Sequence, residues 1–256
     1  MSAYNYDAFP LDFDMQAFID FPNIANAGTK APDGKVYNLL TKKLEQLSTY
    51  WKEKTTIIEF GSITWSECAL AAPGFDKLVE EFGNKFNFLF IYTREAHPGE
   101  KIPHLTSFEQ KLEHAKSMTE KYINRTMLVD SLDGKIHHAY GRLPNMTYIV
   151  NRYGNVIYKS DWTDPSTIKM VLDHYLDERE MLAKKIRATP YYVEWQPMRK
   201  NDTEEFMTIL LNDAGPKAIK DFINSANHYD GPIQSNSSLG KAMGKKLQDW
   251  LDKQDY

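Results

Sequence analysis

Three short runs of β-branched and aromatic residues most constrain what this chain can fold into. They are TTIIEFGS (55–62), FNFLFIYT (86–93) and RTMLVDS (125–131), and none contains proline. Apolar runs of this length are typical of strands buried on both faces. Helix-length segments separate the runs and are long enough for crossover connections. We therefore predict an α/β fold in which the three strands lie parallel.

The two segments between these runs show helical periodicity. In CALAAPGFDKLVEEFG (68–83), large apolar side chains recur every three or four residues, and Gly83 suits the end of a helix. In the second segment, Thr106 and Glu109 have the Thr-x-x-Glu spacing of a capping box, which predicts a helix continuing through Tyr122.

The chain after residue 145 predicts an edge to this sheet. MTYIVNRYGNVIYKS (146–160) has two apolar arms around a turn and is typical of a β-hairpin. Asp164 and Pro165 suit the start of a helix that runs to about residue 187. The fold class predicted is thus a mostly parallel central sheet with an antiparallel hairpin.

We predict three parts: an N-terminal extension (1–34), a main domain (35–187) and a C-terminal extension (188–256). The main domain is expected to open with a strand at KVYNLL and a helix through Leu44 and Leu47.

The C-terminal extension carries helical patterns around residues 203–212 and 215–223, then an amphipathic tail, LGKAMGKKLQDWLDK. Tyr191, Tyr192 and Trp195 either line a pocket or pack the tail onto the core. The extension covers the core, contacts a partner or lies loose, and the sequence leaves these alternatives open.

Composition excludes several classes of function. A net charge of −4 gives no electrostatic basis for binding nucleic acid or an anionic membrane. No run approaches the roughly 18 apolar residues of a membrane span, and the acidic N-terminus does not resemble a targeting signal. A single cysteine forms no internal disulfide and fits a reducing compartment. We predict a cytoplasmic protein without a cofactor, and a homodimer stays open.

The stretch FGSITWSECALAAPGF resembles the active-site turn of a thioredoxin. The second cysteine of Cys-x-x-Cys matches Cys68, which puts Trp65 at the nucleophile position. Pro73 matches the helix-kinking proline, and Leu143-Pro144 precedes a strand as the thioredoxin cis-proline does. Because an indole cannot attack a disulfide, Cys68 is either a residual nucleophile or a small buried apolar residue. A peroxiredoxin Thr-x-x-Cys site is excluded by Trp65.

Two motifs resemble the iodothyronine deiodinases, thioredoxin-fold enzymes that remove iodine from thyroid hormones. EFGSITW resembles the family's Phe-Gly-Ser-x-Thr-selenocysteine, with Trp65 at the selenocysteine position. FNFLFIYTREAHP resembles its strand ending in Tyr-x-Glu-Glu-Ala-His-Pro, with Arg94 at the first glutamate. LVDSLDG and AYGRLPNMTYIVNRYGNVIYK extend the resemblance over about residues 55–160. It implies a thioredoxin-like fold and a small aromatic substrate.

The resemblance implies that Glu95 and His97 bind substrate and pass protons. Independently, both follow a predicted parallel strand and, at positions i and i+2, point the same way on an extended segment. The alternative is a solvated loop with local hydrogen bonds. Asp130 ends the next strand and joins Glu95, His97 and Cys68 as a catalytic candidate.

Substrate binding is assigned to residues expected near the same strand ends. Trp65 offers an aromatic wall, and Met146 replaces an arginine that the family uses for its substrate. The other candidates are Ser62, Thr64, Tyr92, Arg94, His104, Arg142 and Pro144. His137 and His138 lack further ligands at metal-binding spacing, so no metal site is predicted.

Three functions follow from these residues. The first is a redox or dehalogenating enzyme in which Cys68 replaces the missing nucleophile. The second is a non-redox enzyme in which Glu95 and His97 perform acid–base chemistry. The third is a binding protein that holds a ligand without chemistry.

Overall fold

The computed structural model describes residues 4–9, 11–185, 203–227, 245 and 248–253. The aromatic set at Tyr191, Tyr192 and Trp195 lies outside the described residues, as does most of the amphipathic tail.

The described residues form seven strands and eight α-helices. The strands are Lys35–Asn38 (β1), Lys43–Gln46 (β2), Thr56–Gly61 (β3), Asn87–Tyr92 (β4), Thr126–Val129 (β5), Met146–Val150 (β6) and Val156–Ser160 (β7). The helices are Leu11–Asp20 (α1), Ser48–Glu53 (α2), Ser66–Phe82 (α3), Phe108–Lys121 (α4), Lys135–Tyr140 (α5), Pro165–Ala183 (α6), Thr203–Ala214 (α7) and Pro216–Asn227 (α8).

All seven strands form one sheet in the order β2-β1-β5-β4-β3-β6-β7. The three predicted core strands, β3, β4 and β5, are parallel, because α3 and α4 carry the chain back between them. β6 pairs antiparallel with β3, and β7 pairs antiparallel with β6 as the predicted hairpin. On the other side, β1 and β2 add antiparallel strands next to β5. The predicted thioredoxin-like fold, with a parallel centre and antiparallel edges, is confirmed.

Apolar cores lie on both faces of the sheet. On one face, Phe60 and Tyr148 pack with side chains from α1, α2 and α5. On the other face, Ile57 packs against α3 and α6, and Phe90 packs against α3 and α4. Since the central strands are covered on both faces, their apolar runs are continuous and do not alternate.

The helix predicted through Leu44 and Leu47 is wrong. Lys43–Gln46 is a strand that pairs with β1, with Leu44 opposite Tyr37. A turn at Lys42, whose φ is +57°, reverses the chain and directs these residues into the sheet. Leu44 is exposed and Leu47 is buried, so their three-residue spacing does not mark one helix face.

The start of α4 is also shifted from its prediction. Ser107, one residue after Thr106, caps the helix, and its hydroxyl accepts a hydrogen bond from the Gln110 backbone at 3.1 Å. Gln110 Oε1 accepts a hydrogen bond from the Thr106 amide at 2.8 Å. The capping pair is therefore Ser107 and Gln110, which have the same three-residue spacing.

The C-terminal extension packs on the main domain through α7 and α8, which match the two predicted helical stretches. α7 lies against α3, and both helices build an apolar cluster with Leu251. The Lys101 amide donates to the Ala214 carbonyl, and Glu100 accepts from the Lys217 amide at the start of α8. None of the helices within the described ranges has the length and apolarity needed to cross a membrane.

Candidate functional site

The carboxyl ends of β3, β4 and β5 meet at one edge of the sheet, here called the carboxyl edge. Gly61 at the end of β3 pairs with Tyr92 at the end of β4, and Tyr92 pairs with Val129 at the end of β5. The segments that follow the three strands therefore start at the same level. Ligands of open α/β sheets usually bind at such an edge.

Glu95 lies at the centre of a buried hydrogen-bond network on this edge. Its Oε2 accepts a hydrogen bond from the Thr64 hydroxyl at 2.7 Å, and its Oε1 accepts one from the Tyr92 hydroxyl at 2.5 Å. Nδ1 of His114, on α4, lies 2.8 Å from the same Oε1. Burial and the Glu95 carboxylate raise the pKa of Tyr92, so its hydroxyl keeps the proton it donates. Three side-chain partners thus replace water around a carboxylate that is 2% exposed.

Ser62 and Thr64 fix the segment that carries Glu95 and His97. The Thr64 hydroxyl accepts hydrogen bonds from the backbone amides of Ala96 at 2.9 Å and His97 at 3.3 Å. The Ser62 hydroxyl accepts from the Ala96 amide at 3.3 Å. Because both hydroxyl residues are fully buried, the turn after β3 and the segment after β4 form one rigid unit.

His97 is enclosed by aromatic rings and paired with an acid from the C-terminal extension. Its imidazole stacks on the Trp65 indole, with 5.4 Å between centroids and 19° between planes. Phe9 also stacks on this imidazole, at 4.8 Å and 18°, and Phe222 of α8 meets it at 5.1 Å and 66°. Nδ1 of His97 lies 3.1 Å from Oδ2 of Asp221. His97 is 1% exposed, so the protein's own side chains fill the space around it.

Trp65 caps the start of α3 and is 9% exposed. Its indole also packs edge-on against Trp162 and Phe206, with centroids 5.8 Å and 6.1 Å away. Nε1 of Trp65 is buried and bonds to no acceptor among the described residues, and the same holds for Nε1 of Trp162. A buried donor without a partner costs about 1–3 kcal/mol. Two buried indole N–H groups at the carboxyl edge therefore lack an acceptor among the described residues.

Cys68 is buried in the first turn of α3, at 0% exposure. Burial raises the pKa of its thiol to about 12, although the Asn145 amide donates to Sγ at 3.4 Å and favours the thiolate. Its nearest surroundings include Gly61, where an added Cβ would lie 2.3 Å from Sγ. The site of Cys68 has the properties of a packed core position, in agreement with the buried-residue alternative.

Asp130 holds the start of α5. Its Oδ1 accepts hydrogen bonds from the amides of Ser131 at 2.7 Å and Ile136 at 3.1 Å, and its Oδ2 accepts from the amide of His137 at 2.8 Å. The side chain is 0% exposed. Asp130 thus satisfies backbone donors that the short helix leaves without intrahelical partners.

Arg94 is buried beneath the N-terminal segment. Its guanidinium lies over the rings of Tyr4 and Tyr6, at 5.1 Å and 4.7 Å from their centroids. It donates to the backbone carbonyls of Tyr4 and Arg142, both at 3.4 Å. Arg142 has a positive φ of 54°, and its side chain reaches to 4.0 Å from Asp20. The Arg94 guanidinium thus bonds directly to the backbone of Arg142.

His104 lies in the segment between β4 and α4, and Pro144 lies in the loop between α5 and β6. His104 Nδ1 is 3.2 Å from Oδ1 of Asp7, and its side chain is 36% exposed. Pro144 is buried in the loop before β6, and no peptide bond of the described residues is cis. The neighbouring Asn145 ties this loop to Cys68, and its Oδ1 accepts from the Thr163 amide at 2.6 Å.

His137 has a hydrogen-bond partner at each ring nitrogen and so presents no free nitrogen to a metal. Nδ1 of His137 lies 2.8 Å from the Tyr4 hydroxyl, and Nε2 lies 2.8 Å from the Leu143 carbonyl. Burial lowers the pKa of His137 well below its usual value, so the ring is neutral. In the part of the chain that the structure describes, no three His, Cys, Asp or Glu side chains are arranged to hold a metal ion.

The geometry of the carboxyl edge coincides with a match to a known family. The sequence profile of the iodothyronine deiodinases matches residues 8–177, which is more than half of the chain. The chain belongs to the iodothyronine deiodinase family. It is therefore a deiodinase-like protein with a thioredoxin-like fold.

Relatives in the family cover part of the chain. The thyroxine 5-deiodinase of Sparus aurata is 26% identical over 151 residues, covering 55% of this chain and 56% of that protein. The type I iodothyronine deiodinase of Xenopus laevis is 28% identical over 144 residues, covering 53% and 56%. The type II enzyme of Aquarana catesbeiana is 31% identical over 113 residues, covering 39% and 43%. The chain thus spans about half the length of the curated relatives it matches.

Solved structures with a similar fold include thiol-disulfide proteins. An exposed lipoprotein thioredoxin of Streptococcus pneumoniae has a TM-score of 0.44 and 22% identity, covering 56% of this chain and 98% of its own. A thiol-disulfide oxidoreductase of Bacteroides fragilis has a TM-score of 0.43 and 10% identity, covering 57% and 98%.

Sequence reasoning missed several residues that line the carboxyl edge. His114 was detectable, because Lys111, His114, Ala115 and Met118 share one buried helix face. Lys111 is fully buried on that face and donates to the Ser131 carbonyl at 2.9 Å. Phe9 and Asp221 carry no local signal, and Asp221 also lies outside the residues that match the deiodinase family. The C-terminal extension therefore contributes to a site that the family-matched residues do not complete by themselves.

Proposed function

We propose that this deiodinase-family protein binds a small aromatic molecule at His97 and Trp65, without thiol redox chemistry. The observation that carries the proposal is the parallel stacking of both Trp65 and Phe9 on the His97 imidazole. An imidazole face that already holds a phenyl ring supports a flat aromatic ligand in the same manner. Aromatic pairs of this kind contribute about 0.5–1.5 kcal/mol beyond the burial of their area.

The polar groups around the rings support a ligand that also carries hydrogen-bond acceptors. Nε1 of Trp65 and Nε1 of Trp162 are buried donors without an acceptor among the described residues. A halogen-bearing phenol carries an acceptor oxygen. If this oxygen lay near the two indole nitrogens, it would accept their hydrogen bonds and remove the free-energy cost of leaving them without a partner. Sequence relatives of this chain are named as deiodinases of thyroxine, so thyroxine is the first ligand to test.

Two observations argue against thiol chemistry at this site. Trp65 stands three residues before Cys68, at the position where the resemblance puts the family's selenocysteine. Cys68 itself is fully buried, and burial raises the pKa of its thiol to about 12. A nucleophilic cysteine needs exposure and a lowered pKa. We therefore propose that Cys68 has a structural role, as a buried residue in the first turn of α3.

A second candidate function is acid–base catalysis on the same ligand, and the His97–Asp221 pair favours it. When the imidazole is neutral, a proton on Nδ1 is donated to the Asp221 carboxylate and Nε2 keeps its lone pair. Nε2 would then accept or return a proton, as a positioned general base does. Glu95 then has a structural role, because its hydrogen bonds with Thr64 and Tyr92 fix the segment after β4 that carries His97.

The test is thyroxine binding to the full chain, measured by isothermal titration calorimetry. Binding by the wild type, weakened about tenfold in Trp65→Ala, is the expected result, because the stacked ring loses its partner. Tyr153→Ala is the matched control, since it removes an exposed aromatic side chain from the β6–β7 turn. Equal affinity of wild type and Trp65→Ala would place the ligand elsewhere. Absence of binding would refute thyroxine as a ligand.

His97→Ala separates binding from chemistry. If product forms from the bound molecule, this variant should abolish turnover while thermal unfolding still shows a cooperative transition. Turnover that survives in His97→Ala would exclude the acid–base function. We propose a cytoplasmic location for this activity, because a single cysteine fits a reducing compartment.

A further inference from the structure

Residues 4–9 lie over the carboxyl edge without forming a helix or a strand, and they are here called the N-terminal strap. Near its start, the Tyr4 hydroxyl lies 2.8 Å from His137 Nδ1, and Asn5 Nδ2 donates to the Leu132 carbonyl at 2.8 Å. In its middle, the Tyr6 hydroxyl donates to the Ala96 carbonyl at 3.2 Å. The strap therefore passes from the α5 side of the edge to the segment that carries His97.

Phe9 at the end of the strap occupies the ring position on His97. Its ring is nearly parallel to the imidazole, at 4.8 Å between centroids, and this distance is shorter than the 5.4 Å between the imidazole and Trp65. Phe9 also meets Tyr6 edge-on at 5.9 Å. Any ligand ring that stacks on this part of the imidazole must first displace the phenyl group of Phe9.

A latch on α8 holds the strap in this position. The Phe9 amide donates to both carboxylate oxygens of Asp221 at 2.8 Å, and one of these oxygens also faces His97 Nδ1. Lys217, on the same helix, donates to the backbone carbonyl of Asp7 and lies 3.4 Å from the Asp7 carboxylate. Helix α8 therefore contacts both the backbone of the strap and the strap's one acidic side chain.

The strap is bound by contacts that can release without unfolding the sheet. No strap residue belongs to a strand, and each of its polar contacts has a side chain as at least one partner, on the strap or on the residues it covers, at separate points along its length. Asp7 is largely exposed, and the contact of its carboxylate with Lys217 is therefore screened by water. Segments held in this way open with smaller free energies than core strands do.

We propose that the N-terminal strap is an autoinhibitory cover, in which Phe9 is an internal occupant of the aromatic site and Asp221 is the latch that keeps it closed. The inference rests on the proposed function, because it assumes that the external ligand also stacks on His97. An aromatic ligand binds only after the strap has opened. Its apparent affinity is therefore its affinity for the open form multiplied by the fraction of molecules in which the strap is open.

Hydrogen exchange tests the opening of the strap without any ligand. In the wild-type protein, the Phe9 amide should exchange through an opening that needs less free energy than exchange of the β3 amides. Asp221→Asn should speed exchange at Phe9 at least tenfold, because an amide side chain offers one acceptor oxygen where the carboxylate offers two. Exchange of Phe9 together with β3, unchanged by Asp221→Asn, would show that the strap is a fixed part of the fold and overturn the proposal.

Thyroxine titration then tests the consequence for binding. Phe9→Ala should bind thyroxine about tenfold more tightly than the wild type, which corresponds to about 1.4 kcal/mol. Tyr153→Ala should bind as the wild type does, because Tyr153 is exposed in the β6–β7 turn.

The outcomes separate the strap from the proposed function. Equal thyroxine affinities of wild type and Phe9→Ala would overturn the autoinhibitory role and leave the proposed binding function intact. If neither protein binds thyroxine, the proposed function fails for this ligand, and the hydrogen-exchange result alone decides whether the strap opens.

Discussion

The buried position of Cys68 makes a quantitative prediction about its reactivity. At pH 8, a thiol with the ordinary pKa of 9.0 is about one-tenth thiolate, whereas one with a pKa of about 12 is about one ten-thousandth thiolate. The thousandfold lower fraction is offset in part, because a more basic thiolate is roughly twentyfold more nucleophilic at a Brønsted slope of about 0.45. Ionisation alone should therefore slow reaction with a disulfide reagent about fiftyfold. Because Cys68 is fully buried, the reagent also has restricted access to Sγ, which should slow the reaction further.

The measurement is reaction with 5,5′-dithiobis(2-nitrobenzoate) at pH 8, followed by absorbance in native buffer and in guanidinium chloride. The unfolded chain should release one equivalent rapidly, since the sequence has one cysteine. The native protein should react more than fiftyfold more slowly. Cys68→Ser provides the baseline for both conditions. A native rate within about tenfold of the unfolded rate would refute the buried, high-pKa thiol and revive thiol chemistry at this site.

Three further predictions concern the residues packed around the carboxyl edge. Gly61→Ala should lower the free energy of unfolding by about 1–3 kcal/mol, because the new Cβ would lie 2.3 Å from Sγ of Cys68. Adding Cys68→Ala should recover part of this loss in urea titrations, and strictly additive effects would contradict the clash. Burial lowers the pKa of Lys111 from 10.5 to about 8, so between these pH values the unfolded state binds more protons and wild-type stability rises with pH. Relative to Lys111→Met, the wild type should gain up to about 3 kcal/mol between about pH 7 and pH 11, and a constant difference would argue against a buried ammonium. Asp130→Ala should cost about 1–3 kcal/mol, because three backbone amides lose their acceptor, with a smaller loss in Asp130→Asn, and equal unfolding midpoints for Asp130→Ala and wild type would contradict the capping role.

The central sheet was predictable because its strands are covered on both faces. Such strands need continuous apolar runs, and helices between them impose parallel pairing, so both features are written locally in the sequence. β2 was not predictable in this way. Its four residues are exposed or half-buried and have no alternating pattern, and pairing with β1 through the turn at Lys42 decided their conformation.

The candidate site was predictable up to the ends of the strands. Ser62, Thr64, Tyr92 and Glu95 each lie within a few residues of a strand end, so parallel pairing alone brings them to one edge, and the structure joins them by hydrogen bonds. Asp130 lies at the same edge, but its environment differs from that of a general acid or base. Its carboxylate faces the backbone amides at the start of α5, a contact that depends on how the next loop folds.

The sequence by itself determined the α/β topology, the edge at which the site residues gather and the absence of a second thiol. Tertiary structure decided whether that edge is open. Phe9 and Asp221 lie far along the chain from His97, one before it and one after it, and they meet it through the docking of α8 and the N-terminal strap. Periodicity and spacing report on neighbours within a strand or a helix. Contacts between distant segments depend instead on the packing of complete elements, which no local pattern encodes.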